Sequence, residues 1–206
     1  MNKLREMYDS ASSSQNYADQ YVARMAEVLL ALDTKTVAEI TAIIEKTAAD
    51  DKTVFFAGNG GSAAVGTHWV NDLSANTVVD DQPGFRCISL TDNASSLTAL
   101  ANDASFEKVF TIQLKANMRP GDVVIFMSVS GNSPNIVDAV EYANANGAIT
   151  IGCTGFEGGK VKELVHHSVH MPSTKDEYGP IEDMFSVIMH IAQSYISMNR
   201  GRYLAH

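Results

Sequence analysis

The sequence predicts an α/β fold: a three-layer α/β/α sandwich around a central, mainly parallel five-stranded sheet, preceded by N-terminal helices. Three observations predict it. Five short apolar runs lack the in–out alternation of half-exposed strands, the pattern of strands buried on both faces. Helix-periodic segments separate those runs regularly, which is the grammar of stacked βαβ units. The 206 residues are 45% hydrophobic and 19% charged, enough apolar mass for one core. That composition excludes a disordered tail, a collagenous chain and a coiled-coil rod.

The elements follow in order. After a Ser-rich stretch at 10–14, Tyr21, Val22, Met25, Val28 and Leu29 recur at helical spacing and mark one buried face. Asp33-Thr34 breaks that run, and Val37, Ile40, Ile43 and Ile44 begin a second helix. From residue 53 the pattern changes. A strand at 53–57 leads into a helix reaching about residue 75; a strand at 86–90 is followed by helical pieces to about 117. A strand at 122–127 precedes a helix over 134–146. A strand at 148–153, a short helix at 158–164 and a strand at 165–171 lead to a closing helix over 181–198. No Pro/Gly-rich linker and no internal repeat divides the chain. Residues 1–50 read as a helical extension and 51–206 as the sheet-containing unit of one structural domain.

Charge and cysteine usage narrow the function classes. Twenty-four acidic against fifteen basic side chains give a net charge of −9, a sign that repels a nucleic-acid backbone, so no nucleic-acid partner is expected. Cys87 and Cys153 sit in apolar stretches with no CxxC partner, as buried thiols of a reduced cytoplasm do. The start has no apolar signal core and no segment approaches the ~20 apolar residues of a membrane span, so a soluble cytoplasmic protein is expected.

Two strand ends carry the chemistry. The first runs Gly58-Asn59-Gly60-Gly61-Ser62 straight into a helix, whose N-terminus offers unpaired N–H groups and a positive dipole end. The second is Ser128-Val129-Ser130-Gly131-Asn132-Ser133-Pro134. Pro134 fits the first helical position and Ser133 the N-cap, but capping needs one hydroxyl and this loop supplies three. Hydroxyls clustered at a helix start suit a phosphate dianion. Neither loop matches GxxxxGK[ST], and GxGxxG is absent after the first strand, so a phosphorylated small ligand is expected rather than a nucleotide.

A second constellation is acid–base in character. His68 and Asp72 lie four apart on one helix, and Glu182 and His190 eight apart on the last, so each pair shares a face. Two imidazoles and two carboxylates make a divalent-metal set, zinc first by ligand type. On spacing alone His68 is equally an ordinary helix histidine. Glu182 with Asp183 is equally the acidic first turn after Gly179-Pro180.

GNGGS at 58–62 and SxSGNS at 128–133, with the strand–helix rhythm between them, resemble sugar isomerase (SIS) domains, most closely the bacterial phosphoheptose isomerases. Asn102-Asp103, the GD at 121–122 and the TGFEGGK at 154–160 agree with that resemblance. It implies the SIS fold and interconversion of sedoheptulose 7-phosphate with a glycero-manno-heptose 7-phosphate. It also implies one zinc or other divalent cation per site, held by His68, Asp72, Glu182 and His190, with Asp72 as base and His190 as oxygen-side acid. Asn59, Gly60, Gly61, Ser62, Asn102, Asp103, Ser128, Val129, Ser130, Ser133 and Glu182 are the implied substrate contacts. Four positions depart from the family pattern: Asp72 for Glu, Glu182 for Gln, Val129 for Thr and Asn76 for Arg. The departures leave another phosphosugar as an alternative substrate. They also leave a non-catalytic module, like the replication-initiator-associating family member that shares a GNGxS loop. The retained histidines favour catalysis. The apolar N-terminal helix and the resemblance imply a homo-oligomer, a tetramer with ligand sites at subunit interfaces. Tyr178, His166, His167 and the terminal GRYLAH are read as exposed or packing groups.

Overall fold

The computed structural model describes residues 2–202; the GRYLAH end beyond Arg202 lies outside the described residues. Three helices come first: α1 (Lys3–Ser10), α2 (Ser14–Leu30) and α3 (Thr34–Ala49). The Ser-rich stretch acts as a stop and a start. Ser13 caps α2, its hydroxyl accepting from the Asn16 amide at 3.1 Å. Asp33 caps α3 in the same way through the amides of Lys35 and Thr36. These bonds hold the Asp33 carboxyl below its ordinary range, the Thr36 hydroxyl contributing most.

Five strands follow: β1 (Thr53–Gly58), β2 (Arg86–Ser89), β3 (Val123–Ser128), β4 (Ile149–Thr154) and β5 (His167–His170). They form one sheet in the order β2-β1-β3-β4-β5, and every neighbouring pair is parallel. The expectation of strands buried on both faces holds for β1, β3 and β4. It fails at the edges. Arg86 and Ile88 of β2 are exposed, and β5 is only half-buried, because each edge strand has a neighbour on one side only.

The strands alternate their side chains between two cores. Val54 and Phe56 point to the layer containing α3, α4 (Gly61–Ala75) and α9 (Tyr178–Asn199). Phe55 and Ala57 point to the opposite layer of α5 (Ala94–Asp103), α6 (Val109–Asn117), α7 (Pro134–Ala145) and α8 (Gly159–Leu164). α3 buries Val37, Ile40, Ile44 and Ala48 in the same core as the sheet. Cys153 is buried and Cys87 half-buried; both thiols are free, and burial pushes each up to about 12.

This order places the functional crevice. From β1 the chain goes through α4 to β2 on one side, and then returns through α5 and α6 to β3 on the other. The strand order therefore reverses between β1 and β3, and the helices leaving their C-terminal ends pack on opposite faces. Ligand crevices of open parallel sheets form at such a switch point.

Candidate active site

The two strand-end loops face each other across that crevice. Asn59 and Asn135 exchange amide hydrogen bonds, both 2.9 Å, and so tie the end of β1 to the first turn of α7. Asn59, Ser62, Ser128, Val129, Ser130, Ser133, Met127, Tyr178 and Glu182 line a cleft of about 150 Å³.

The serine loop is braced from behind by the start of α8. The Gly131 carbonyl accepts from the Val161 amide at 3.0 Å, and the Asn132 side-chain carbonyl accepts from the Lys160 amide at 3.2 Å. Gly131 adopts φ +63°, and a Cβ there would collide with the Gly158 carbonyl, so only glycine fits. Inside the loop, Ser128 Oγ accepts from the Gly131 amide at 3.2 Å and Ser130 Oγ from the Asn132 amide at 3.3 Å. Each hydroxyl keeps its proton free to donate. Ser133 stands at the N-cap of α7, with Pro134 next, yet its hydroxyl makes no capping bond. The loop thus fixes its backbone without using up its donors.

Among the described residues, Glu182 is the one charged side chain lining the cleft. Its carboxylate accepts from Ser62 Oγ at 3.2 Å and lies so close over Gly61 that a Cβ there would collide with it. The start of α4 suits a carboxylate, since the helix dipole is positive there. Tyr178 is brought to the same cleft by the first turn of α9, which begins three residues earlier than expected. Its ring packs edge-on against Phe156, centroids 5.1 Å apart. Tyr178 is thus exposed and packed on Phe156, as expected, and it lines the cleft as well. Met127 is the other lining residue missed, and its apolar strand position gave no signal. His166 keeps a packing role, accepting the Thr150 amide at its Nδ1.

Further along the same helix pair, His68 and Asp72 of α4 meet His190 of α9. Asp72 Oδ2 lies 3.4 Å from His68 Nε2 and 3.7 Å from His190 Nε2. The two imidazole rings stand edge to face, centroids 5.3 Å apart. Asp72 Oδ1 accepts from the amides of Asn71 and Asn76 at 3.0 and 3.2 Å, so the buried carboxylate is oriented on both oxygens. Both histidines are about half-exposed. One donor atom from each residue lies within 4.8 Å of the others. Bonds of about 2.0–2.1 Å in a tetrahedral zinc site set donors about 3.4 Å apart, so this trio fits a divalent transition-metal ion. Glu182 is not in the trio. Eight residues of α9 separate it from His190, about 12 Å of helix. Asn102 and Asp103 end α5 at the surface, bonded to each other at 2.8 Å, and line neither the cleft nor the trio.

The comparisons with known proteins agree with this architecture. The SIS domain profile matches residues 16–155. A probable phosphoheptose isomerase of Thermoplasma acidophilum is 34% identical over 174 residues, 84% of this chain and 94% of that protein. The phosphoheptose isomerase of Rhodospirillum rubrum is 36% identical over 155 residues, 75% of this chain and 81% of that protein. Among solved structures, the phosphoheptose isomerase of Neisseria gonorrhoeae matches with a TM-score of 0.81 at 25% identity, covering 90% of this chain and 100% of that one. Motif, topology and sequence similarity converge: the chain belongs to the SIS-domain family and, within it, to the sugar-phosphate isomerases of the phosphoheptose isomerase kind.

Proposed function

We propose that this isomerase interconverts sedoheptulose 7-phosphate and a glycero-manno-heptose 7-phosphate through an enediolate. The observation that carries the reading is the buried Asp72 carboxylate held between two imidazoles, two helical turns from a hydroxyl-lined cleft. Ser62, Ser128, Ser130 and Ser133 hold the phosphate, while Asn59, Gly60, Gly61 and Glu182 meet the sugar hydroxyls. The ~12 Å between the cleft and the trio is of the same order as an extended seven-carbon phosphate, about 10 Å by bond counting.

Asp72 takes the proton from the carbon beside the carbonyl; the C–H electron pair becomes the enediolate double bond. The same carboxylate returns the proton to the neighbouring carbon. His190 moves the hydroxyl proton between the two oxygens, and the Asn71 and Asn76 amides keep Asp72 aimed. His68, Asp72 and His190 would hold a divalent cation, zinc by donor type, which would supply charge stabilisation to an enediolate oxygen.

Oligomerisation belongs to the same reading. Val22, Leu29, Leu30, Ile191, Tyr195 and Met198 expose apolar surface on α2 and α9. An apolar groove of about 300 Å³ runs between α3 and α9, lined on the α9 side by Ile191 and Tyr195. A second copy covering this face would close the half-exposed trio, in a tetramer of a cytoplasmic enzyme. No described helix is long and apolar enough to cross a membrane.

Proton NMR in D2O of the zinc-loaded protein with sedoheptulose 7-phosphate, and then with other ketose and aldose phosphates, tests the function. Deuterium entering beside the carbonyl with an isomer appearing supports it and names the substrate. Phosphate-dependent binding without exchange in any sugar replaces it with a phosphosugar-binding protein, for which the Asp72 and Val129 departures would be the reason.

A further inference from the structure

The cleft continues past Tyr178 into a second hollow. Ser130 and Tyr178 line both, and Asn132, Phe156, Glu157 and Lys175 complete the second. The charged side chains lining the two spaces are Glu182 in the cleft and Glu157 and Lys175 in the hollow. A phosphate dianion on the serine loop would therefore lie between two carboxylates, and Lys175 is the single cation among the lining side chains.

The segment carrying Lys175 is fixed residue by residue. Ser173 Oγ accepts from the Phe156 amide at 2.9 Å, and Thr174 Oγ1 from the Lys3 amide at 3.1 Å. Asp176 Oδ2 accepts from the Arg5 amide at 3.1 Å, and the buried Glu177 is held by Arg24 at 2.7 Å. Every neighbour's side chain thus anchors the segment. Lys175 does not: it is exposed and forms no ion pair among the described residues, despite two nearby carboxylates and a chain carrying −9. Its backbone is held beside the hollow that Ser130 also lines, while its side chain forms no ion pair that ties it down.

We infer that Lys175 is a specificity-determining residue of this isomerase, pairing with the ligand's phosphate from the hollow beside the serine loop. This rests on the reading that the serine cleft holds a phosphate. The opposed signs of Lys175 in the hollow and Glu182 in the cleft also orient the ligand, with phosphate toward Lys175 and uncharged carbons and hydroxyls toward Glu182. An ammonium on a mobile stem adds a charge-assisted contact that the neutral serines do not supply.

Calorimetric titration with inorganic phosphate tests this on the wild-type chain, Lys175→Gln and Lys175→Arg, with thermal melts confirming equal folding. Glutamine is expected to weaken phosphate binding about tenfold and to flatten its salt dependence. Arginine is expected to stay within about twofold. In turnover, Lys175→Gln raises KM by the same factor and leaves kcat unchanged, the mark of uniform binding. Phosphate bound by Lys175→Gln as tightly as by the wild type overturns the inference and leaves the cleft reading standing. A wild-type chain that binds no phosphate overturns the cleft reading, and this inference with it.

Discussion

The Ser62 hydroxyl donates to the Glu182 carboxylate at 3.2 Å, joining the first turn of α4 to the second turn of α9 in the wall of the cleft. From that contact the two helices run side by side, so that Asp72 meets His190 and the Asn76 carbonyl accepts from Ser197 at 3.1 Å. The Ser62–Glu182 bond is thus the top rung of a ladder whose middle rung is the proposed catalytic trio. It also puts a negative charge in a space proposed to receive an anion.

Glu182→Gln keeps an oxygen to accept from Ser62 and removes the charge. At an effective dielectric of ~40 and a separation of ~8 Å, the repulsion it relieves is about 1 kcal/mol per unit of ligand charge. Sugar-phosphate binding is expected to tighten about fivefold, with the gain shrinking at high salt. Isothermal titration at two ionic strengths checks it. Weaker binding in the variant would mean that the carboxylate contacts the ligand favourably.

Much of the fold was legible because unalternated apolar runs such as Val123–Ser128 occur where a strand has neighbours on both sides. The edge strand β2 reads the same way in sequence, and only its position shows Ile88 to be exposed. The site was harder to read. A spacing of eight puts Glu182 and His190 on one face of α9, but a shared face is not a shared depth, and the helix carries them to different neighbours. Tyr178 reads as an exposed or packing group, and its place in the cleft lining is not legible because Phe156, on which it packs, and Ser130, which lines the same space, come from other loops.

Asp72→Asn is nearly isosteric and leaves oxygen for one of its neighbours to bond. It removes the proposed base and the one anionic donor of the trio. Turnover is expected to fall by about 10²–10⁴, with sugar-phosphate binding at the distant serine cleft retained. Zinc affinity, followed by chelator competition, should fall as well. Deuterium exchange at the wild-type rate would transfer the proton-removing role to another group.

The Arg24–Glu177 pair couples the N-terminal helices to the wall of the cleft. Arg24 Nε lies 2.7 Å from a fully buried carboxylate that also accepts from the Thr174 amide at 2.6 Å. Burial alone would raise the Glu177 carboxyl, but the bonds from Arg24 and Thr174 outweigh it and hold it below its ordinary 4.5. A depressed folded-state value gives stability that is complete above the unfolded value and is lost as pH falls through the folded one. Melting temperature should therefore drop below pH ~4.5 more steeply in the wild type than in Glu177→Gln. Arg24→Ala strands the buried carboxylate and is expected to cost about 3 kcal/mol, a fall of roughly 6–12 °C at this chain length. Melting curves across pH 3–7 (a span chosen to bracket about 4.5) read both effects.

Ser133 and Gly131 separate loop architecture from ligand chemistry. An N-cap serine ordinarily contributes about 0.5–2 kcal/mol, but the Ser133 hydroxyl bonds nothing in its helix. Ser133→Ala is therefore expected to change stability by less than about 0.5 kcal/mol while weakening phosphate binding severalfold. Gly131→Ala should do the opposite in order of cause. Its Cβ meets the Gly158 carbonyl in a backbone conformation that disfavours alanine, so the bonds from Val161 and Lys160 that brace the loop give way first. A loss of about 2–4 kcal/mol is expected, and binding disappears with it. Chemical denaturation and phosphate titration on the two variants make the comparison. If Ser133→Ala destabilises as much as an ordinary cap deletion, its hydroxyl serves the helix and the phosphate assignment for that residue falls.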